Sequence, residues 1–122
     1  LRDRLVASNY VTFGEELGAT TISVAELTHG AHRSAKQAEN LAKVSVLFAT
    51  MKILSFDEQS ARLFGRLKAQ LQLASHPLDD LDLMIASIAL AHHAPLVTHN
   101  QRHFRRVPDL VLEDWIDTAR EP

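Results

Sequence analysis

The sequence has no cysteine. That excludes a disulfide framework, a cysteine zinc site and a thiol nucleophile. Glycine and proline number only four each, and they fall singly, so nothing reads as a flexible linker. No apolar run approaches the ~20 residues needed to span a bilayer, and no charged-then-apolar signal segment opens the chain. There is no excess of positive charge either. Thirteen Lys and Arg stand against 15 Asp and Glu, so a polycation that wraps nucleic acid by charge alone is excluded. The chain also lacks an initial Met and begins at Leu1, so we expect either a processed end or a piece of something longer.

What is present is the makings of one core. The 122 residues are 46% hydrophobic and 23% charged, the size and balance of one folded domain. We read residues 1–122 as a single domain of a cytoplasmic protein. Leu1, Leu5 and Val6 suggest a helix over Leu1 to Tyr10. Gly14 to Gly18 reads as loop or frayed helix, and Thr20 to Ile22 as a short buried strand. Ser23 followed three residues later by Glu26 is a capping-box pattern, so a helix is expected over Val24 to Arg33. Leu41, Val44, Leu47 and Phe48 give one face of a helix over Ala35 to Thr50. A strand over Lys52 to Phe56 follows. Asp57 then reads as the N-cap of a helix with an apolar stripe of Ala61, Phe64, Leu67, Leu71 and Leu73, closed by Pro77. A largely buried helix over Asp80 to His92 carries Leu83, Ile85, Ala86, Ala89 and Leu90. Strands are expected at Leu96 to Thr98 and at Leu110 to Leu112, with a polar, basic loop over Asn100 to Arg106 between them and Trp115 as an anchor at the end.

Strands alternating with helices predict an α/β fold with a mainly parallel central sheet flanked by helices. Ligands in such sheets bind beyond the carboxyl ends of the strands. That edge should hold Ser23 to Glu26, Phe56 to Asp57 and His99 to Asn100, and the start of the helix carrying Asp82 can reach it. Glu26 and Asp82 are the candidate acids, each embedded in apolar sequence. Carboxylates gathered at one edge repel one another unless a hard divalent cation such as Mg²⁺ or Mn²⁺ bridges them. The plainer explanation is local. Glu26 lies three residues after Ser23 and Asp82 three after Asp79, and acids in a first helical turn gain ~0.3–1 kcal/mol from the macrodipole.

The seven histidines offer a rival chemistry. His29 and His32 can share a helix face with Glu26, which makes a zinc site conceivable, but the spacing lacks the zincin pattern and a third ligand is undefined. His92 and His93 suit a helix end, and His76 a loop. Arg102, His103, Arg105 and Arg106 form the one dense basic cluster. It can hold phosphates along an RNA backbone or serve as a solvated partner for nearby acids. Phe104, inside that run, reads as a core anchor.

Three blocks, taken in order, carry a resemblance. They are Ile22-Ser-Val-Ala-Glu-Leu-Thr-His-Gly-Ala31, Ile53-Leu-Ser-Phe-Asp57, and Asp82-Leu-Met-Ile-Ala-Ser-Ile-Ala-Leu-Ala91 running on to Leu96-Val-Thr-His-Asn100, Phe104 and Val107. The chain resembles PIN-domain ribonucleases of the VapC toxin type from about Thr20 to Trp115. The resemblance implies a small nuclease that cleaves RNA with a Mg²⁺- or Mn²⁺-binding acidic cluster, is held inactive by a cognate antitoxin and commonly forms dimers. It implies metal binding by Glu26 and Asp82. Thr98 and Asn100 match the block where many members add a further acid, and here they would orient a water or a phosphate. Arg102 and Arg105 are the first candidates for RNA contact. The family opens with a central strand ending in Asp-Thr-Asn, and nothing from Leu1 to Ala19 matches it. We therefore expect the chain to begin inside the family's second helix. The missing Asp, with Asn at position 100, also supports an alternative, a catalytically inactive protein-binding module.

Overall fold

The computed structural model describes residues 9–114. Its elements run β1 (Tyr10–Phe13), β2 (Glu16–Thr20), α1 (Thr21–Arg33), α2 (Gln37–Ala49), β3 (Lys52–Leu54), α3 (Glu58–Leu73), α4 (Asp80–Ala91), β4 (Leu96–Val97), α5 (Gln101–Phe104) and β5 (Leu112–Glu113). The helix read over Leu1 to Tyr10 lies outside the described residues except at its end, where Tyr10 opens a strand instead. Trp115 also lies outside them.

The strands form one five-stranded sheet in the order β3-β2-β1-β4-β5. β2 pairs parallel with β3, and β4 parallel with β5. β1 is antiparallel to both of its neighbours. Four strands therefore share a direction, and the one at the centre runs against them.

Residues 14–18, read from sequence as loop, are a turn and a strand. Gly14 takes φ 65° in the two-residue connection between Phe13 and Glu16, where a hairpin favours glycine. Thr12 Oγ1 donates to Gly14 O at 2.7 Å and steadies the reversal. Gly18 answers to crowding. A Cβ there would stand 2.7 Å from Phe13 Cε2 and 2.9 Å from Lys52 O, so only glycine lets β2 lie between β1 and β3 unstrained.

The strand read over Thr20 to Ile22 is also corrected. β2 ends at Thr20 and Thr21 already opens α1. Thr20 Oγ1 accepts from Ser23 N at 3.2 Å, so Thr20 is the N-cap and the helix begins three residues before Val24. Other boundaries move little. β3 stops at Leu54, β4 at Val97, and β5 starts at Leu112 rather than Leu110. The polar segment after Asn100 contains the short helix α5.

Alternation along the strands sorts the core into layers. Val11, Leu54 and Leu96 face α3 and α4, where they join Leu67, Leu71, Leu83, Ile85, Ile88 and Phe104. Tyr10, Ala19 and Val97 point to the opposite face and pack with Phe48 of α2. Leu27 and Ala31 of α1 close on Val44 of α2. The result is the three-layer α/β fold expected from the sequence. Asp57 caps α3 as expected, accepting from Ser60 N at 2.9 Å. The stripe on α3 is narrower than read, because Ala61 is exposed and Leu73 is 88% exposed. Both lie on its solvent side.

Gly18→Ala should cost about 1–3 kcal/mol, the usual range for overpacking a filled interior. Urea unfolding followed by circular dichroism measures it. A neutral result would show that β1 and β3 move apart freely.

Candidate active site

The carboxyl ends of β2 and β4 meet at one edge. Because β1 is reversed, its beginning lies at that edge as well. A knot of hydrogen bonds holds the three together. Thr98 Oγ1 donates to Asn9 Oδ1 at 2.6 Å and accepts from Asn100 N at 3.0 Å. Ser23 Oγ donates to Asn9 O at 2.9 Å, which ties in the first turn of α1. Gln101 Nε2 donates to Thr98 O at 2.8 Å and to Glu113 O at 3.2 Å. Thr98 is only 2% exposed, and both bonds of its hydroxyl are internal. It shapes the edge from beneath.

Glu26 and Asp82 reach this edge from α1 and α4. Loss of surrounding water pushes the Glu26 carboxyl pKa up, and the charges of Asp82 and then Asp79 push it further. The Asp82 pKa is also raised, first by burial and then by Asp79, against a downward pull from His103. The three carboxylates therefore lie within electrostatic reach of one another, across two helices that are separate in sequence. His103, on α5, lies within electrostatic reach of Asp82.

The capping explanation of Glu26 does not survive. With Thr20 as the cap, Ser23 holds the third helical position and Glu26 lies a turn further in, so α1 has no acid in its first turn. Asp82 differs. Asp79 is the N-cap of α4 and accepts from Leu81 N at 3.2 Å, so Asp82 does sit where the helix dipole favours a negative charge.

The remaining candidates divide. Asn100 Nδ2 lies 3.0 Å from His103 Nδ1, at the crevice rim. Arg102 and Arg105 are exposed on α5 and just after it. Arg106 Nη1 donates to Pro77 O at 2.7 Å, which turns it to the connection between α3 and α4. His29 and His32 are both exposed, and His32 Nδ1 lies 2.7 Å from Gln37 Nε2. Among the described residues no three His, Asp or Glu side chains gather closely enough to enclose a metal ion, and the zinc alternative gains no third ligand. Sequence reasoning missed Asn9 and the pairing of His103 with Asn100. Asn9 carried no signal, because its reach to the edge depends on the reversal of β1. His103 was hidden in a run that read as a uniformly basic loop.

Comparison with known proteins agrees with this architecture. The PIN domain family model matches residues 2–110. Ribonuclease VapC2 of Rickettsia felis is 33% identical over 99 residues, 81% of this chain and 74% of that protein. The tRNA(fMet)-specific endonuclease VapC of Salmonella typhimurium is 34% identical over 96 residues, covering 79% and 73%. The solved structure of VapBC-1 from nontypeable Haemophilus influenzae superposes with a TM-score of 0.79 at 29% identity, over 93% of this chain and 83% of that one. The chain belongs to the PIN-domain family, and within it to the VapC-type toxins of toxin–antitoxin systems.

The raised carboxyl pKa values carry a stability sign. Between the unfolded acid pKa near 4 and the raised folded value, the native state holds more protons than the unfolded one. Stability contributed by these groups therefore falls as pH rises through that window. In metal-free protein at pH 7, Asp82→Asn should raise the urea midpoint, and the gain should shrink as pH falls toward 4. Added Mn²⁺ should stabilise the wild type more than the variant. Equal midpoints at pH 7 would show that the three acids do not strain one another.

Proposed function

We propose that this chain is a Mg²⁺- or Mn²⁺-dependent endoribonuclease that hydrolyses RNA phosphodiester bonds and is held inactive by a cognate antitoxin. The observation that carries the reading is the edge where Glu26 and Asp82 meet: burial pushes both carboxyl pKa values up, Asp79 adds to each, and Asp82 adds to Glu26. The relatives named ribonucleases and endonucleases support it.

The donor set fits a hard cation. It is all carboxylate oxygen, with no thiol in the chain, and Mg²⁺ is usually held by one or two carboxylates while waters and substrate phosphates complete its shell. Such an ion neutralises crowded charge, activates water and stabilises charge developing on a phosphodiester. Glu26 and Asp82 would hold it. Asp79 fixes the first turn of α4 and so the position of Asp82. Thr98 sets the backbone of Asn100, which would orient a water or a phosphate by its amide. Arg102 and Arg105 would meet the RNA backbone as charges, without reading its sequence.

Among the described residues no helix is long and apolar enough to cross a membrane, and a cytoplasmic site of action suits an RNA substrate. Val46 on α2 is 69% exposed and Leu73 on α3 is 88% exposed, apolar surface that a second copy of the chain would cover. The alternative, an inactive protein-binding module, draws on Asn100, which offers no charge where a further acid would serve.

Purified protein should cleave RNA in the presence of Mn²⁺ and stop on addition of EDTA. Initiator tRNA is the first substrate to try, given the name of the Salmonella relative. Asp82→Asn and Glu26→Gln should each lower the rate by about 100-fold or more, since metal stabilisation of the transition state is worth several kcal/mol. Undiminished cleavage by Asp82→Asn would overturn the site. Folded wild type that binds an antitoxin but never cleaves would favour the inactive module.

A further inference from the structure

The acidic crevice poses a problem for its own substrate. Three carboxylates repel a phosphodiester, so the opposite wall has to offer hydrogen-bond donors. The donors on the β4 side are largely engaged. His99 Nδ1 lies 3.2 Å from Asp114 Oδ2. Asn100 N is given to Thr98 Oγ1 at 3.0 Å. Gln101 Nε2 is shared between Thr98 O and Glu113 O. Asn100 Nδ2 lies 3.0 Å from His103 Nδ1. Nδ1 is thus engaged with Asn100, and Nε2 is the ring nitrogen left to meet a ligand.

The position of the ring follows from α5. Phe104 is fully buried in the core and anchors the helix, while its neighbour His103 is half-buried. The imidazole lies near enough to Asp82 to act on its charge. Arg102 and Arg105 are exposed, and Arg106 is engaged with Pro77 O. Within the basic run, then, it is the histidine that is held at the rim by Asn100 and whose charge acts on Asp82. Asn100 fixes the ring's orientation through Nδ1.

We propose that His103 is a substrate-binding residue whose Nε2–H donates to a phosphate oxygen of RNA lying across Glu26 and Asp82. The ligand class, a phosphodiester, rests on the nuclease reading above. The contact is a hydrogen bond to substrate. Glutamine, whose amide nitrogen reaches about as far as Nε2, should therefore replace it.

The test is fluorescence anisotropy with a short fluorescein-labelled single-stranded RNA in Ca²⁺, which takes oxygen ligands as Mg²⁺ does. Mn²⁺ affinity is measured in parallel by calorimetry. His103→Ala should weaken RNA binding by about 3- to 10-fold, the scale of one lost hydrogen bond. His103→Gln should stay within about twofold of wild type. Mn²⁺ affinity should not change in either variant. Wild-type RNA affinity in His103→Ala overturns the inference, as does equal weakening in both variants. Loss of Mn²⁺ affinity also overturns it, because His103 would then serve the metal site. A wild type that binds RNA but never cleaves it sinks the nuclease reading while the His103 contact stands on the binding data. A wild type that does not bind RNA sinks both.

Discussion

The burial of α4 is the constraint on which the rest depends. Leu83 is 1% exposed, and Ile85, Ala86, Ser87, Ile88 and Ala89 are 0% exposed. Each large aliphatic side chain so buried contributes about 1.5–3 kcal/mol. The one hydroxyl in the stretch is satisfied, since Ser87 Oγ donates to Leu83 O at 2.7 Å. A helix surrounded this completely has little freedom to rotate or slide. Asp82 stands directly before Leu83, so the packing that buries the helix also carries a carboxylate to the edge of the core. Its loss of water is a consequence of apolar packing and not of any partner that asks for it.

α1 reaches the same edge by a different route. Its start is set by Thr20, the last residue of β2, whose hydroxyl accepts from Ser23 N. The strand thus hands the chain directly to the helix. Leu27 and Ala31 bury one face against α2, and Glu26, beside Leu27, stays on the exposed side within electrostatic reach of Asp82. Two acids far apart in sequence meet because two separate apolar faces have been satisfied. Their mutual repulsion is then fixed in place, and a divalent cation is the natural way to relieve it.

Much of this was legible in the sequence, and the failures are informative. α2, α3 and α4 were readable because their apolar residues recur at helical spacing and their ends carry Asp57, Asp79 and Pro77. The hairpin was not. Its glycines suggested a break, whereas Gly14 makes a turn and Gly18 makes room between neighbouring strands, a requirement that only the paired sheet creates. Ser23 and Glu26 matched a capping box, and a local pattern could not reveal that Thr20 takes the cap first. Exposure of Ala61 and Leu73 shows the limit of reading a stripe without knowing what the helix packs against. Glu26 and Asp82 were found by their apolar surroundings. Asn9 and the orientation of His103 depend on tertiary contacts and had no local signature.

The reversed central strand sets the charge balance of the crevice. A strand parallel to its neighbours would bring its last residue to the carboxyl edge, and β1 brings the residue before its first, Asn9. That residue contributes a carbonyl oxygen, already shared with Thr98 Oγ1, and no charge. The Glu26, Asp79 and Asp82 charges therefore come from α1 and the start of α4, while the β1 and β4 side carries amides, hydroxyls and the imidazoles of His99 and His103, with His99 Nδ1 3.2 Å from Asp114 Oδ2. Such an asymmetry has a direct physical meaning. On the proposed reading, a cation would be drawn to the helical wall and an anion would be better placed against the strand wall, where Asn100 and His103 stand. A phosphodiester held between the two would lie with its charge divided across them, and its orientation would follow from the field of the crevice before any base is read.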